Sequence, residues 1–380
     1  MKTRKLLTIA LSLAMVLSMV ACFASCGGNK NTEYFIGCTG PLTGDAASYG
    51  ISVQKGAKLA VKQINANGGL NGVNFKFDMK DDQAEAEPAQ TGYDTLYDAG
   101  MQISLGAVTS GSCKAFAAKA QQDNLLFMTP SASEAAILTD YAGGTTAFRV
   151  CFGDPDQGIL AAQEIKTKGY TKIGAIYDTS SSYSVGIYEA FKAEMAKQGL
   201  TYIETTFDAE NNKDFSTQVE TMKECEIIFM PFYYTEASLV AKAAAAKGCN
   251  AILFGCDGFD GIAAMFTAED NIPNVIKYIT PFDANSSDET VKSFVDAFKA
   301  EYNETPDQFA ADGYDAVMAL YNAMKTAGVD DVTISASDLA DAVRAVLLGG
   351  SFSYKGATGT MSWDNTGACV KSAQIVELKK

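Results

Sequence analysis

Short apolar runs recur along the chain between longer stretches of helical period. Tyr34 to Gly37, Gln102 to Val108, Leu125 to Met128, Lys172 to Tyr177, Glu226 to Pro231, Ala251 to Gly255 and Val275 to Thr280 read as strands covered on both faces, as in parallel sheets. Between the first two, Ser52 to Asn67 sets Val53, Ala57, Ala60, Val61 and Ile64 on one helical face, and Gly68-Gly69 stops it. The period then changes: Val73 to Lys80 alternates apolar and polar residues, which predicts a strand with one wet face. Further amphipathic helices are expected at Pro88 to Tyr97, Ser112 to Asp123, Val185 to Gln198, Phe215 to Lys223, Ala237 to Lys247, Asp288 to Tyr302, Gln308 to Ala327 and Ser337 to Leu348. Repeated strand-helix units imply doubly wound α/β architecture. The 380 residues exceed a comfortable single core, so two such lobes are expected.

The N-terminus breaks this pattern. Lys2, Arg4 and Lys5 precede an apolar run from Leu6 to Val20, which is an export signal too short to span a bilayer. The stretch Phe23-Ala24-Ser25-Cys26-Gly27-Gly28 resembles a bacterial lipobox, with residues 1–25 as signal peptide and Cys26 as the lipidated N-terminus. Met19-Val20-Ala21-Cys22 offers a competing frame. Residues 26–32 then form anchor and polar leash, and two acyl chains supply the second signal that stable anchoring needs. The expected location is extracytoplasmic, on the membrane surface.

Cleavage before Cys26 removes three positive charges and no carboxylate, taking the net charge from −15 to −18. Nucleic acid is thereby excluded as a partner on charge. The carboxylates are scattered, and no metal cage or cofactor site is visible. The chain has no histidine, which removes Ser-His and Cys-His nucleophile pairs and the usual base near neutral pH. No Walker A motif occurs. Enzymatic activity is therefore not expected. Nine cysteines, without a CxxC pair after the signal region, read as buried small hydrophobes more than as disulfides.

Ordered motifs run through the rest of the chain. Gly40-Pro41-Leu42-Thr43-Gly44 leads to Tyr49-Gly50, then Lys55 to Val61 and Ile64-Asn65-Ala66-Asn67-Gly68-Gly69. Asp81-Asp82-Gln83, Gly106 to Gly111, Thr129 to Ser133, Phe148-Arg149, Asp154 with Gln157-Gly158, and Tyr177-Asp178 follow. Asp214-Phe215-Ser216, Gly255-Cys256-Asp257-Gly258, Gly313 to Ala316, Gly356 to Gly359 and Trp363-Asp364 complete the series. In order and spacing the chain resembles the leucine/isoleucine/valine-type substrate-binding proteins of ABC importers, from residue 34 to the end. The resemblance implies the periplasmic binding protein type I fold: two doubly wound parallel-sheet lobes joined by three hinge crossings. These fall near Arg149 to Gly153, Thr280 to Ala284 and Ser353 to Trp363. Lobe one would comprise residues 33–150 and 283–352, and lobe two residues 151–282 and 353–380. A monomer serving a membrane permease and its ATPase is implied, and the ligand would be a small amino acid.

An α-amino acid needs donors around its carboxylate and an anion beside its ammonium. Thr109-Ser110-Gly111-Ser112 opens a helix, where free N–H groups and hydroxyls favour an anion, although Ser110 would also serve as an ordinary cap. By resemblance, Ser110 and Gly111 bind the carboxylate, the Ser131 carbonyl accepts from the ammonium, and the Ser133 hydroxyl bridges both groups. Ser131-Ala132-Ser133-Glu134 also fits a capping box. Asp257 matches the acid that pairs with the ammonium, and Tyr49, Tyr183, Tyr233 and Phe282 match pocket walls. Phe232 stands where a small residue is common and is expected to shrink the side-chain pocket. An amide, urea or another small polar solute remains open as the ligand.

Overall fold

In the computed structural model, which describes residues 31–139, 146–267 and 269–378, the strands gather into two main sheets. The first has the order β2-β1-β3-β4-β5. Its strands are β1 (Tyr34–Gly40), β2 (Phe75–Asp81), β3 (Ile103–Ala107), β4 (Phe127–Thr129) and β5 (Ala147–Arg149), all parallel. The second has the order β14-β10-β9-β8-β6-β7. It holds β6 (Ile173–Asp178), β7 (Ile203–Phe207), β8 (Ile227–Met230), β9 (Ile252–Gly255) and β10 (Ile276–Thr280) in parallel. Strand β14 (Gln374–Glu377) closes one edge antiparallel to β10. A small antiparallel sheet of β11 (Tyr354–Gly356), β12 (Gly359–Trp363) and β13 (Cys369–Val370) lies between the last helix and β14.

Helices follow the strands as crossovers: α1 (Ala47–Ala66), α2 (Ala86–Asp98) and α3 (Ser110–Gln122) on the first sheet. On the second lie α4 (Asp154–Lys168), α5 (Ser182–Lys197), α6 (Ser216–Thr221) and α7 (Tyr234–Lys247). The chain then returns through α8 (Glu289–Tyr302), α9 (Gln308–Thr326) and α10 (Ala336–Leu347), which pack back against the first sheet's helices and strands. Close helix pairs meet at glycines. A Cβ on Gly56 of α1 would lie 1.9 Å from the Ala310 carbonyl oxygen of α9, and one on Gly158 of α4 would lie 2.4 Å from that of Ile187 in α5.

Each of the seven short apolar runs holds a strand, and the face carrying Val53, Ala57, Ala60, Val61 and Ile64 is buried. Strand β2 keeps its alternation in part, with Phe75 and Met79 buried and Asp78 exposed. The structure adds elements that periodicity did not single out. Helix α4 has a weak apolar stripe because Ala161 and Ala162 do much of its packing, and edge strand β7 is mostly polar. Ser131 and Glu134 form no capping box. The Ser131 hydroxyl donates to the Val108 carbonyl (2.7 Å), while the Glu134 carboxylate accepts from Ser182 (2.7 Å) and pairs with Lys114 (3.3 Å). Among the described residues seven cysteines are free and buried. Cys22 and Cys26 lie outside the described residues. No helix among the described residues is long and apolar enough to cross a membrane.

The passages between the sheets are held by buried polar groups. The Asp315 carboxylate of α9 accepts from the backbone N–H groups of Ala357 (2.9 Å) and Thr358 (2.8 Å) and from the Thr358 hydroxyl (2.7 Å). The fully buried Lys371 ammonium donates to Thr358 (2.7 Å) and pairs with Asp312 (3.4 Å). The indole N–H of Trp363, the lone tryptophan, donates to the Arg149 carbonyl (2.7 Å), tying the third passage to the first.

Candidate functional site

Two strand ends of the first sheet build one wall of a narrow pocket. After β3 the chain turns at Thr109, whose extended φ of −92° and ψ of 151° make it the cap residue of α3, so Ser110 is the first helical position. The opening N–H groups of a helix have no partner within it and carry its positive dipole end. Ser110 is buried and its oxygen accepts from the Glu134 N–H (3.3 Å), while Gly111 is open, with nothing near the place a Cβ would occupy. After β4, Thr129 donates to the Ala107 carbonyl (2.8 Å) and Ser131 to that of Val108. The two loops are thus stitched together, which fixes where the α3 amides point.

The opposing wall comes from the second sheet. Strand β9 ends at Gly255, where a Cβ would fall 2.2 Å from the Phe259 ring, and a single 3₁₀ turn, Asp257–Phe259, follows. Asp257 is 5% exposed. Its Oδ1 accepts from the Tyr183 hydroxyl (2.6 Å) and the Gly258 N–H (2.9 Å). Its N–H donates to Gln157 (3.0 Å), and its carbonyl accepts from the Gln308 side chain (2.7 Å). Burial raises its carboxyl above the ordinary value, and the Tyr183 and Gln157 hydrogen bonds oppose that shift.

Aromatic rings fill the space between the walls. The Tyr49 hydroxyl of α1 donates to the Gly258 carbonyl and accepts from the Tyr234 N–H (3.2 Å), so it bridges the two halves. Its ring contacts Phe309 at 4.4 Å and Tyr233 at 5.3 Å, and Tyr183 stacks on Tyr233 at 5.0 Å. The space left between them is small, about 10 Å³. Tyr49, Ser110, Ser131, Tyr183, Tyr233 and Asp257 all line it, joined by Val108, Thr109, Gly258 and Phe309.

Three sequence-derived residues stand elsewhere. Gly111 points away from the lining, though adjacent to Ser110. Ser133 is fully buried behind the wall, with its carbonyl accepting from Asp154 N–H (2.9 Å) and from Arg149. Phe282 is set apart: it packs on Phe294 at 6.0 Å and borders a wider groove of about 820 Å³, open to solvent, with Tyr278 and Asp307. Phe309, at the start of α9, takes the place expected for Phe282. The Asp307 cap beside it was the available signal, since its side chain accepts from Ala310 N–H (2.8 Å) and turns Phe309 inward. Phe232 does not narrow the pocket either; it packs on Phe207 at 5.0 Å. The wide groove carries Asp260, Asp283, Asp307 and Glu377 and no group suited to an anion. The narrow pocket alone combines anion donors, a buried acid and apolar rings among the described residues.

Residues 33–380 match the family model described as periplasmic binding protein. The chain belongs to the periplasmic binding protein family. It is 28% identical to the Leu/Ile/Val-binding protein BraC3 of Rhizobium johnstonii, over 87% of this chain and 90% of the relative. It is 26% identical to the leucine-, isoleucine-, valine-, threonine- and alanine-binding protein of Pseudomonas aeruginosa, over 87% and 86%. Among solved structures it is similar to the branched-chain amino acid transporter substrate-binding protein LivJ of Streptococcus pneumoniae in complex with isoleucine. That match has a TM-score of 0.76 and 28% identity, covering 91% of this chain and 100% of the other. The two doubly wound sheets are therefore the type I fold of this family, a fold of binding proteins.

Proposed function

We propose that this chain is the extracytoplasmic substrate-binding component of an ABC importer, taking a branched-chain or similar small amino acid by lobe closure. The observation that carries this reading is the pairing of an uncapped helix start with a buried acid across one pocket. The α3 amides with Ser110 suit a carboxylate, Asp257 suits an ammonium, and the rings of Tyr49, Tyr183, Tyr233 and Phe309 suit an apolar side chain. The ligands in the relatives' names have this same chemistry.

Closure brings residues 33–150 with 283–352 against residues 151–282 with 353–380, and Tyr49 bridging to Gly258 is the contact that such closure would make. Ser133 and Gly111 serve in this reading as backing for the carboxylate wall. Partners are a permease and an ATPase in the membrane, the protein acts as a tethered monomer, and it releases its ligand unchanged. Calorimetric titration with L-leucine, L-isoleucine, L-valine, L-threonine and L-alanine tests the ligand; binding of none of them rules out the reading. The tether is assigned to Cys26, so Cys26→Ala should free the protein into the medium, and retention of that variant on membranes would move the anchor to Cys22.

A further inference from the structure

Two cysteines meet on one face of the second sheet. Cys225 lies in the turn after α6 and Cys249 just beyond α7, and the segments that follow them run side by side as β8 and β9. The pairing reaches back to Glu226, whose carbonyl accepts from the Ile252 N–H (2.9 Å). Chain segments joined in this way run about 4.8 Å apart, within the Cα separation that a disulfide spans. Both cysteines also touch one carbonyl: that of Met222 accepts from the Cys225 N–H (2.9 Å), and the Cys249 sulfur lies 3.9 Å from the same oxygen. Both enter one apolar cluster with Met222, Ile228 and Leu253, while Ile227 and Phe229 pack into the cluster on the other face.

Access sets this pair apart from the other cysteines. At 8% exposure Cys225 is the most exposed of the seven free cysteines among the described residues, and Cys249 behind it is fully buried. Cys225 lines an opening of about 360 Å³ together with Lys172, Tyr202, Ile203 and Glu224, through which a small molecule from solvent can reach its sulfur. Gly174 of β6 leaves room there, since a Cβ on it would lie 3.3 Å from Cys225 Sγ and 2.7 Å from Met222 Sδ. The Cys249 backbone is held in place by Asn274, whose side chain donates to its carbonyl (2.9 Å). Packing as small hydrophobes accounts for buried cysteines one at a time. It does not call for two of them on a shared carbonyl with an opening to one.

We infer that Cys225 and Cys249 are a redox-active pair that closes to a disulfide by exchange with a small-molecule disulfide admitted through this opening. The Cys225 thiolate attacks one sulfur of the external disulfide and breaks its S–S bond, and the thiolate expelled takes up the proton that Cys225 gave. Cys249 then attacks the Cys225 sulfur of the mixed disulfide, and its proton leaves with the second small thiol. Two protein thiols are oxidised, and one external disulfide is reduced to two thiols. Burial pushes the Cys225 thiol up, Cys249 adds to the rise and Lys172 opposes it, so exchange quickens as pH rises. The pair precedes β8 and β9 whereas Tyr233 and Asp257 follow them, so the bond forms at the end of the sheet away from the pocket. It stiffens the second sheet without meeting the ligand.

The test needs no ligand and is independent of the amino-acid reading. Folded wild-type protein is incubated with glutathione disulfide or with dithiothreitol, and the melting temperatures of both samples are measured. Portions of each are then unfolded, their remaining thiols are capped with iodoacetamide, and their peptides are mapped by mass spectrometry. The expected result is a link between Cys225 and Cys249 in the oxidised sample alone, with a melting temperature raised by roughly 5 °C. Cys249→Ser blocks the second step, so Cys225 of that variant should keep one bound glutathione; if the variant does not fold, the wild-type map decides. Both thiols capped after oxidation, a link from either to another cysteine, or a wild type that retains glutathione on Cys225 overturns the inference. A linked protein that melts below the reduced one overturns it too, because the native fold then does not hold the sulfurs in bonding position.

Discussion

Asp257 shows how one side chain can serve two states. In the closed pocket it is stabilised by Tyr183 and the Gly258 N–H, which supply hydrogen bonds but no positive charge. Asp257→Ala should weaken amino-acid binding by ~2 to 4 kcal/mol, since it strands a desolvated ammonium, and an unchanged Kd in calorimetry would refute the pairing. Asp82 offers a second test, independent of the ligand. It is fully buried at the end of β2, with one carboxylate oxygen bonded to the Ala84 N–H (2.9 Å) and the other unpartnered. Burial pushes it from the ordinary 3.8 up to about 6. A carboxyl raised in this way holds its proton more tightly folded than unfolded. The stability it contributes is complete below about pH 4 and is lost as pH rises through about 6. Ligand-free melting temperatures should fall across that window, and Asp82→Asn should flatten the fall; an identical profile in the variant would place the titration elsewhere. Nothing in the sequence marks Asp82 apart from Asp81, which is exposed enough to accept from Thr43 (2.6 Å) and the Leu42 N–H (2.8 Å) and is lowered instead.

Helices α1 and α9 cross face to face, and their separation is set by Gly56 and Gly313. A side chain at Gly56 meets the Ala310 backbone, which cannot rotate away as a flexible side chain could. Gly56→Ala should therefore destabilise by about 2 kcal/mol in denaturant titration, and a neutral result would show that α9 can shift. The crossing matters for the site because α9 carries Phe309 into the pocket, Gln308 against the Asp257 carbonyl, and Asp312 and Asp315 toward the third passage. Periodicity located α9 within a residue at each end, while the resemblance named Phe282 as a pocket wall and did not name Phe309. The apolar stripe of a helix says which side is inward but not which of its turns reaches the cleft.

Across the cleft the halves meet at Tyr49 with Gly258 and Tyr234, Gln308 with the Asp257 carbonyl (2.7 Å), Ser182 with Glu134, and Thr235 with the Asp45 carbonyl (2.9 Å), among other contacts. Each such bond contributes on the order of 1 kcal/mol. Tyr49→Phe keeps the ring packing and removes the bridge, so the ligand should dissociate several-fold faster with little change in melting temperature. Stopped-flow release measured at the wild-type rate would assign closure to the other contacts. The strand-helix order, the two-lobe division and the motif series were legible in the residues because hydrophobic period and turn chemistry are local properties. The placing of Phe309 in the pocket and the exclusion of Phe282 were not. Each depends on which segments the fold brings against the cleft, as α9 is brought against α1, and the local pattern does not state that. The chain order thus specifies what kind of protein this is, while the packing of α9 against α1 and the strand ends decides which side chains line the pocket.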